Sequence, residues 1–232
     1  MLKMISISLS YSCIKNPRCY FCFLKDNIDG DHYYLGREHF SNLKGFDKNT
    51  VICYEYNGYN IKDVLHCYHE NEKTMTTMPL AVSKVMCGAV HKHGVNAIAL
   101  SYDKEKCSSP AEWLFKAKMI KDAGMKVSCN YLLIDEEKEV EPEIIKFADQ
   151  LNLLSYKPSG RLRNPELIDL RIQMYKNFLP VAVDSCIGVQ LGLIDRCKAG
   201  EDFIHIMPDG LTTDCCFKYR CFLYDKYYKK GK

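Results

Sequence analysis

Two rhythms of apolar and polar positions take turns along this chain. "MISISLSYS", near the N-terminus, switches at every residue, the period of a strand, and it runs into a loop that carries cysteines. "NTVICYEYNG" predicts a second strand, stopped by Asn57 and Gly58. "NIKDVLHCYHENE" has helical spacing, and "KTMTTMPL" is a short extended run halted by Pro79. "AVSKVMCGAVHKHG" predicts a helix closed by Gly94, followed by the strongly apolar strand "VNAIALSYD". In "SPAEWLFKAKMIKDAG" Ser109 can cap a helix, Pro110 suits its first turn and Gly124 ends it. "MKVSCNYLLID" then reads as a buried strand, "EPEIIKFADQL" as a helix, "NLLSYKPSG" as a strand and "NPELIDLRIQMYKNF" as a helix, while "VDSCIGVQLG" leaves the alternation.

About six β–α units in this order, with strands too uniformly apolar for a one-faced sheet, predict an α/β fold with a parallel sheet flanked by helices. Six units are too few for an eight-fold barrel, so an open partial barrel or a doubly wound sheet is expected. Ligands of such folds sit at the C-terminal ends of the strands, and the loop after the first strand lies at that end.

Composition adds little until the cysteines are counted. The chain has 232 residues, enough to bury a sizeable core as one large domain or one domain with an appendage. Its net charge of +3 does not call for nucleic acid, no apolar run is long enough to span a membrane, and "MLKMISISLSYSC" is too polar for a signal peptide. A cytoplasmic protein is expected. There are 13 cysteines, an odd number, which argues against a disulfide scaffold and toward metal or redox chemistry. Cys13, Cys19 and Cys22 form one group, and Cys186, Cys197, Cys215, Cys216 and Cys221 another. Cys53, Cys67, Cys87, Cys107 and Cys129 are scattered through apolar or helical contexts and read as buried thiols.

Three thiols cannot close a tetrahedral zinc site without a fourth ligand. On a four-iron cluster they leave one iron open to a substrate or cofactor. Iron–sulfur, zinc and incidental clustering all remain open from the spacing alone.

The loop resembles that of the radical S-adenosylmethionine (SAM) enzymes, whose CxxxCxxC motif follows the first strand of a partial (β/α)6 barrel. Here Cys19 and Cys22 keep the CxxC half, Phe21 stands in the aromatic place, and the gap from Cys13 is two residues longer. "AIALSYD" is similar to the family's fourth strand, with Ser101 at its cofactor-contacting serine. "MIKDAGMKVSCNYLLID" resembles the fifth, with Asn130 at the polar position that reaches the cofactor; both residues also read as ordinary polar strand ends. Where the family ends its second strand in "GGE", this chain has "YNGY", and only Gly58 aligns. The resemblance implies a SAM-binding 4Fe-4S cluster on Cys13, Cys19 and Cys22, SAM bound near Phe21, Gly58, Ser101 and Asn130, and hydrogen abstraction by a 5′-deoxyadenosyl radical.

"CKAGEDFIHIMPDGLTTDCC" resembles the C-x(9–15)-G-x4-C signature of the SPASM and twitch extensions, with Cys197, Gly210 and Cys215 in its places and a "PDG" hairpin turn between the two arms. This implies a second, auxiliary 4Fe-4S cluster on Cys186, Cys197, Cys215 and Cys221, with Cys216 a rival for either of the last two places. A zinc-stabilised hairpin is the other reading. The expected organisation is a partial barrel at 1–180 and a twitch-like region at 181–232. Relatives of that kind oxidise or cross-link ribosomally made peptides, with a reductase such as flavodoxin or ferredoxin as partner. The alternatives are a small-molecule dehydrogenase or cofactor-biosynthesis enzyme and, in another class, a zinc-binding structural or RNA-binding module. His66, His69, His91 and His93 read as surface residues. His205 could neighbour the auxiliary cluster or face water. Tyr54, Glu55, Tyr56, Lys157 and Arg161 are placed to face the barrel mouth, while Arg161 and Arg163 also read as solvated helix flanks.

Overall fold

A computed structural model of the chain describes residues 2–15, 19, 46–59, 61, 70–103, 106–107, 109–156 and 160–215. Six parallel strands stand where the sequence rhythm predicts them: β1 (Met4–Ser8), β2 (Val51–Tyr56), β3 (Lys73–Thr77), β4 (Val95–Tyr102), β5 (Lys126–Leu133) and β6 (Gln150–Ser155). Two further parallel strands extend this set, one on each side. β7 (Val181–Val183) pairs with β6, and β8 (Phe203–Ile206) pairs with β1. β9 (Thr212–Thr213) turns back antiparallel to β8, so the sheet runs β7-β6-β5-β4-β3-β2-β1-β8-β9. Eight parallel strands in the cyclic order of a (β/α)8 barrel are therefore present, although no ladder joins β7 to β8 among the described residues. The six-unit expectation missed the outer two for a physical reason. β7 is three residues between Pro180 and Asp184, too short to show a period, and β8 carries the alternation of a free-standing hairpin.

Helices lie along one face of the sheet: α1 (Lys84–Lys92), α2 (Pro110–Asp122), α3 (Pro142–Phe147) and α4 (Pro165–Lys176), with a short α5 (Ser185–Gln190) after β7. Their starts follow the sequence signals. The side chains of Ser83, Ser109, Asn164 and Asp184 each accept an amide N–H of the first turn, and proline opens α2, α3 and α4. Alternate strand residues, among them Ile5, Ile7, Ile52, Tyr54, Ile98, Leu100, Val127 and Leu151, are fully buried together with Trp113, Ala117, Ile120 and Ile144 of the helices. Each such aliphatic side chain contributes roughly 2 kcal/mol. The Trp113 indole N–H also donates to the carbonyl of Leu100 at 3.2 Å, fixing α2 against β4. The helix expected over "NIKDVLHCYHENE", with His66, Cys67 and His69, lies mostly outside the described residues. Among those described, no helix is long and apolar enough to cross a membrane.

Candidate active site

The strand residues that alternate with this core set turn to the other face, and there the chain places hydroxyls, amides and one carboxylate. β3 and β6 switch between buried and half-buried at each residue, as do β2 as far as Glu55 and β5 from Val127 on, so the face away from the helices is open where the helix face is closed. Small residues on β4 make room for contacts across it. Asn130 Nδ2 donates to Thr76 Oγ1 at 2.9 Å, from β5 to β3, with Ala97 and Ala99 at the half-buried positions of the strand between. Thr76 Oγ1 itself donates to the carbonyl of Ala99 at 3.3 Å. The ladder continues through Asn152, whose Nδ2 donates to Asn130 Oδ1 at 2.7 Å, to Gln150, whose Nε2 donates to Asn152 Oδ1 at 2.6 Å. Asn130, expected at the cofactor, is thus held from both sides, by Thr76 of β3 across β4 and by Asn152 of the adjacent β6. Ser101 is buried in register with it on β4.

Beside this ladder, with Glu55 in register with Thr76, β1, β2 and β8 bring four polar side chains together. Ser6 Oγ donates to Glu55 Oε1 and Ser8 Oγ to Glu55 Oε2, both at 2.5 Å. His205 Nε2 lies 3.2 Å from Ser8 Oγ, and its Nδ1 lies 3.6 Å from Glu55 Oε1. Since the Ser8 proton is committed to the carboxylate, the ring nitrogen facing Ser8 is the donor of that pair. His205 is only 2% exposed, so alternation turns it inward rather than to water. Cys53, expected to be buried, is half-buried on the same strand phase as Glu55, yet desolvation still pushes its thiol up to about 12, and it stays protonated at neutral pH. Of the trio expected at the mouth, Glu55 faces this interior, Tyr54 is fully buried among the helix-side residues, and Tyr56 is half-buried at the end of β2.

The cysteine loop leaves β1 at the C-terminal end of the sheet and is tied down there. Asn57 Nδ2 donates to the carbonyl of Ser10 at 2.8 Å, and the amide of Ile14 donates to the carbonyl of Asn57 at 2.9 Å. Tyr11 donates its hydroxyl proton to Asp209 Oδ2 at 3.0 Å, linking the loop to the turn of the β8–β9 hairpin; burial and Asp209 push that phenol up to about 12. Gly58 is required here. Its φ is +104°, and a Cβ would stand 2.7 Å from the Cβ of Ile14. Cys13 is half-buried on this loop and Cys19 is buried, while Phe21 and Cys22 lie outside the described residues.

The second cysteine group is divided between the two ends of the sheet. Cys186 is buried in the first turn of α5, just past the C-terminal end of β7. Cys197 precedes β8 and Cys215 follows β9, so both approach the N-terminal end of β8, where the Cβ position of Gly200 would lie 3.1 Å from the carboxylate of Asp214. The hairpin therefore brings Cys197 and Cys215 to one end and leaves Cys186 at the other. Cys216 and Cys221 lie outside the described residues. Among those described, no group of three or more His, Cys, Asp or Glu side chains converges on a metal position. Cys87, Cys107 and Cys129 are buried, as their apolar contexts predict, and burial raises all three thiols. His91 is exposed and His93 half-buried at the end of α1; Arg161 and Arg163 are exposed, and Lys157 is outside the described residues. The residues that sequence reasoning passed over are Ser6, Ser8, Thr76 and Asn152. Their signal was the polar half of each strand's alternation.

No protein-family model and no curated protein matches this sequence. Solved structures do. Methylornithine synthase (PylB) superposes with a TM-score of 0.56 at 15% identity, over 89% of this chain and 72% of that one. The N-terminal domain of a putative aldolase from Bacteroides vulgatus superposes with a TM-score of 0.50, also at 15% identity and over the same shares of the two chains. At this identity both likenesses speak to the fold.

Proposed function

We propose that this chain is a radical SAM enzyme. Cys13, Cys19 and Cys22 would hold a 4Fe-4S cluster at the C-terminal mouth of the sheet, with Phe21, Gly58, Ser101 and Asn130 lining the place of SAM. One observation carries the reading: a loop with this thiol motif leaves β1 over an open polar sheet face and is pinned there by Asn57 and Asp209. The fold likeness to methylornithine synthase, itself a radical SAM protein, supports it. The donor set fits, since thiolates are the ligands such clusters use. Bound together, cluster and SAM supply hydrogen-atom abstraction from an unactivated carbon. The chain's own part is to position and shield: the strand hydroxyls and amides orient bound molecules, and the apolar layer behind them keeps the sheet rigid.

An auxiliary cluster would draw on Cys197 and Cys215, with Cys221 and Cys216 as the further thiols of the set; Cys186 stands apart from Cys197 and Cys215, at the other end of the sheet. A flavodoxin or ferredoxin would supply electrons. Peptide oxidation or cross-linking is the outcome that the twitch-like signature favours. A small-molecule substrate is the second reading, favoured by the polar character of the interior face.

Iron and sulfide analysis of anaerobically prepared protein tests the proposal. Two clusters give about eight irons per chain, falling to about four in the Cys13→Ala/Cys19→Ala/Cys22→Ala variant, which also stops forming 5′-deoxyadenosine from SAM. Zinc in place of iron after anaerobic reconstitution would leave the metal-binding structural module instead.

A further inference from the structure

The Ser6–Ser8–Glu55–His205 cluster is built from three strands, two of them distant in sequence from the first. We infer that it is the anchor of a substrate site for a small hydrophilic molecule bearing an ammonium group, with Glu55 as the ammonium-binding residue. The inference deepens the reading above, since it names the substrate class for the same interior.

Three observations carry it. First, the Glu55 side chain is 24% exposed and Ser6 is half-buried, whereas Ser8 and His205 are buried, so the carboxylate is the charged member that a molecule in the interior can reach. Second, an ionised carboxylate only accepts hydrogen bonds and has about four lone-pair directions. Ser6 and Ser8 take one on each oxygen, and the Nδ1 of His205, at 3.6 Å from Oε1, is beyond hydrogen-bond length, which leaves acceptor capacity on the open side. Third, the same sheet face continues from Glu55 to Thr76, its in-register neighbour on β3, and on to Asn130 and Asn152, neutral groups that bond hydroxyls and amides but offer no charge to pair with an anion. A ligand that spans this face carries donors for Glu55 and mixed donors and acceptors for the amide ladder. An amino polyol has both. A carboxylate-bearing ligand would meet Glu55 at close range in a partly desolvated space, where like-charge repulsion is stronger than in water.

The test uses three probes of similar size that differ in charge: glucosamine, in which an ammonium replaces one hydroxyl of glucose, glucose itself, and its open-chain carboxylate gluconate. Their binding to the anaerobically prepared full chain is followed by calorimetry or ligand-observed NMR, with iron content measured on the same samples. The expected order is glucosamine, then glucose, then gluconate, with at least about a tenfold gap between the first two, or about 1.4 kcal/mol. That gap should shrink as salt is raised. Glu55→Gln, which keeps the shape and can still bond both serines, is expected to close it. Glu55→Asp, which keeps the charge, should preserve the order and serves as the second variant where Gln prevents folding. Equal binding of all three probes, no saturation by any up to about 50 mM, or a gap unchanged in Glu55→Gln overturns the inference. Charge discrimination in a preparation that takes up zinc and no iron would sustain the ammonium site while removing the radical SAM reading. The two failures are therefore distinguishable.

Discussion

Tyr11 shows how a single side chain can couple two parts of the candidate site. Its hydroxyl donates to Asp209 across 198 positions of sequence, from the cysteine loop to the hairpin turn. Burial, and after it the hydrogen bond and charge of Asp209, raise its folded pKa from 10.0 to about 12. A group with a raised folded pKa contributes stability that is whole below its unfolded pKa and is lost as pH climbs through the folded one. The latch is therefore intact at neutral pH and opens between about pH 10 and 12. Subtracting the phenolate absorbance titration of Tyr11→Phe from that of the parent should reveal one phenol titrating near 12. If the missing phenol instead titrates at the ordinary value of about 10, the contact does not form in solution. Nothing in the sequence announces this pair, because a contact over such a separation exists only once β8 lies beside β1. Gly58 was legible as a strand stop, whereas its second reason, the approach of Ile14, was not.

Elements were read best where the signal is local. The cap of α2 at Ser109, its opening proline and its stop at Gly124 are all chemistry of adjacent residues, and the structure matches them. The strands were read in place but with one property wrong. They look uniformly apolar because β4 and β5 carry small or neutral inward residues, yet burial alternates along β5 and over Ala97–Leu100 of β4, and the inward half is the site. The loop that follows β5, at the mouth, is held by an element far along the chain. Arg171 of α4, a buried residue, donates to three successive carbonyls, those of Glu136, Glu137 and Lys138. In return the carboxylate of Glu136 accepts the amides of Arg163 and Asn164 at the start of α4, both bonds being 2.7–2.8 Å at their shortest. Replacing the guanidinium strands three carbonyls in a partly closed space, and hydrogen bonds to charged groups are worth about 1.5–3 kcal/mol each without adding fully. Arg171→Met is expected to cost about 3 kcal/mol in urea unfolding. Arg171→Lys should recover less than half of that, because an ammonium cannot reproduce the planar fork. A loss under about 1 kcal/mol for Arg171→Met would mean that the loop does not depend on the clamp.

At the scale of the whole molecule, the question is whether the segment after residue 180 is an appendage or part of the barrel. Its signature, two cysteines flanking a hairpin, reads as an appendage. In the fold, that segment supplies β7 on one side of the sheet and β8 on the other. β8 covers β1 from Met4↔Phe203 to Ile7↔Ile206, and the amides of Lys3 and Met4 both donate to the carbonyl of Asp202. It also brings Ile206 into the core and His205 to Ser8, while α5 adds Ile187; both isoleucines are fully buried. A chain ending at 180 would keep all six strands that the sequence rhythm predicts, yet β1 would become an exposed edge beside an emptied core position. Such a chain is expected to aggregate or stay unfolded, and the full chain should unfold in one step. Trp113, the single tryptophan, packs under β4, four strands away from β8, so its fluorescence reports the barrel independently of the hairpin. Coincident urea transitions by Trp113 fluorescence and far-UV circular dichroism in the full chain, with no native Trp113 signal in residues 1–180, are the expected pair of results. A soluble 1–180 fragment with native Trp113 fluorescence and a cooperative transition would show that the barrel stands without β8. Ser8, Glu55 and His205 would then be a cluster assembled after folding rather than one the barrel needs in order to fold.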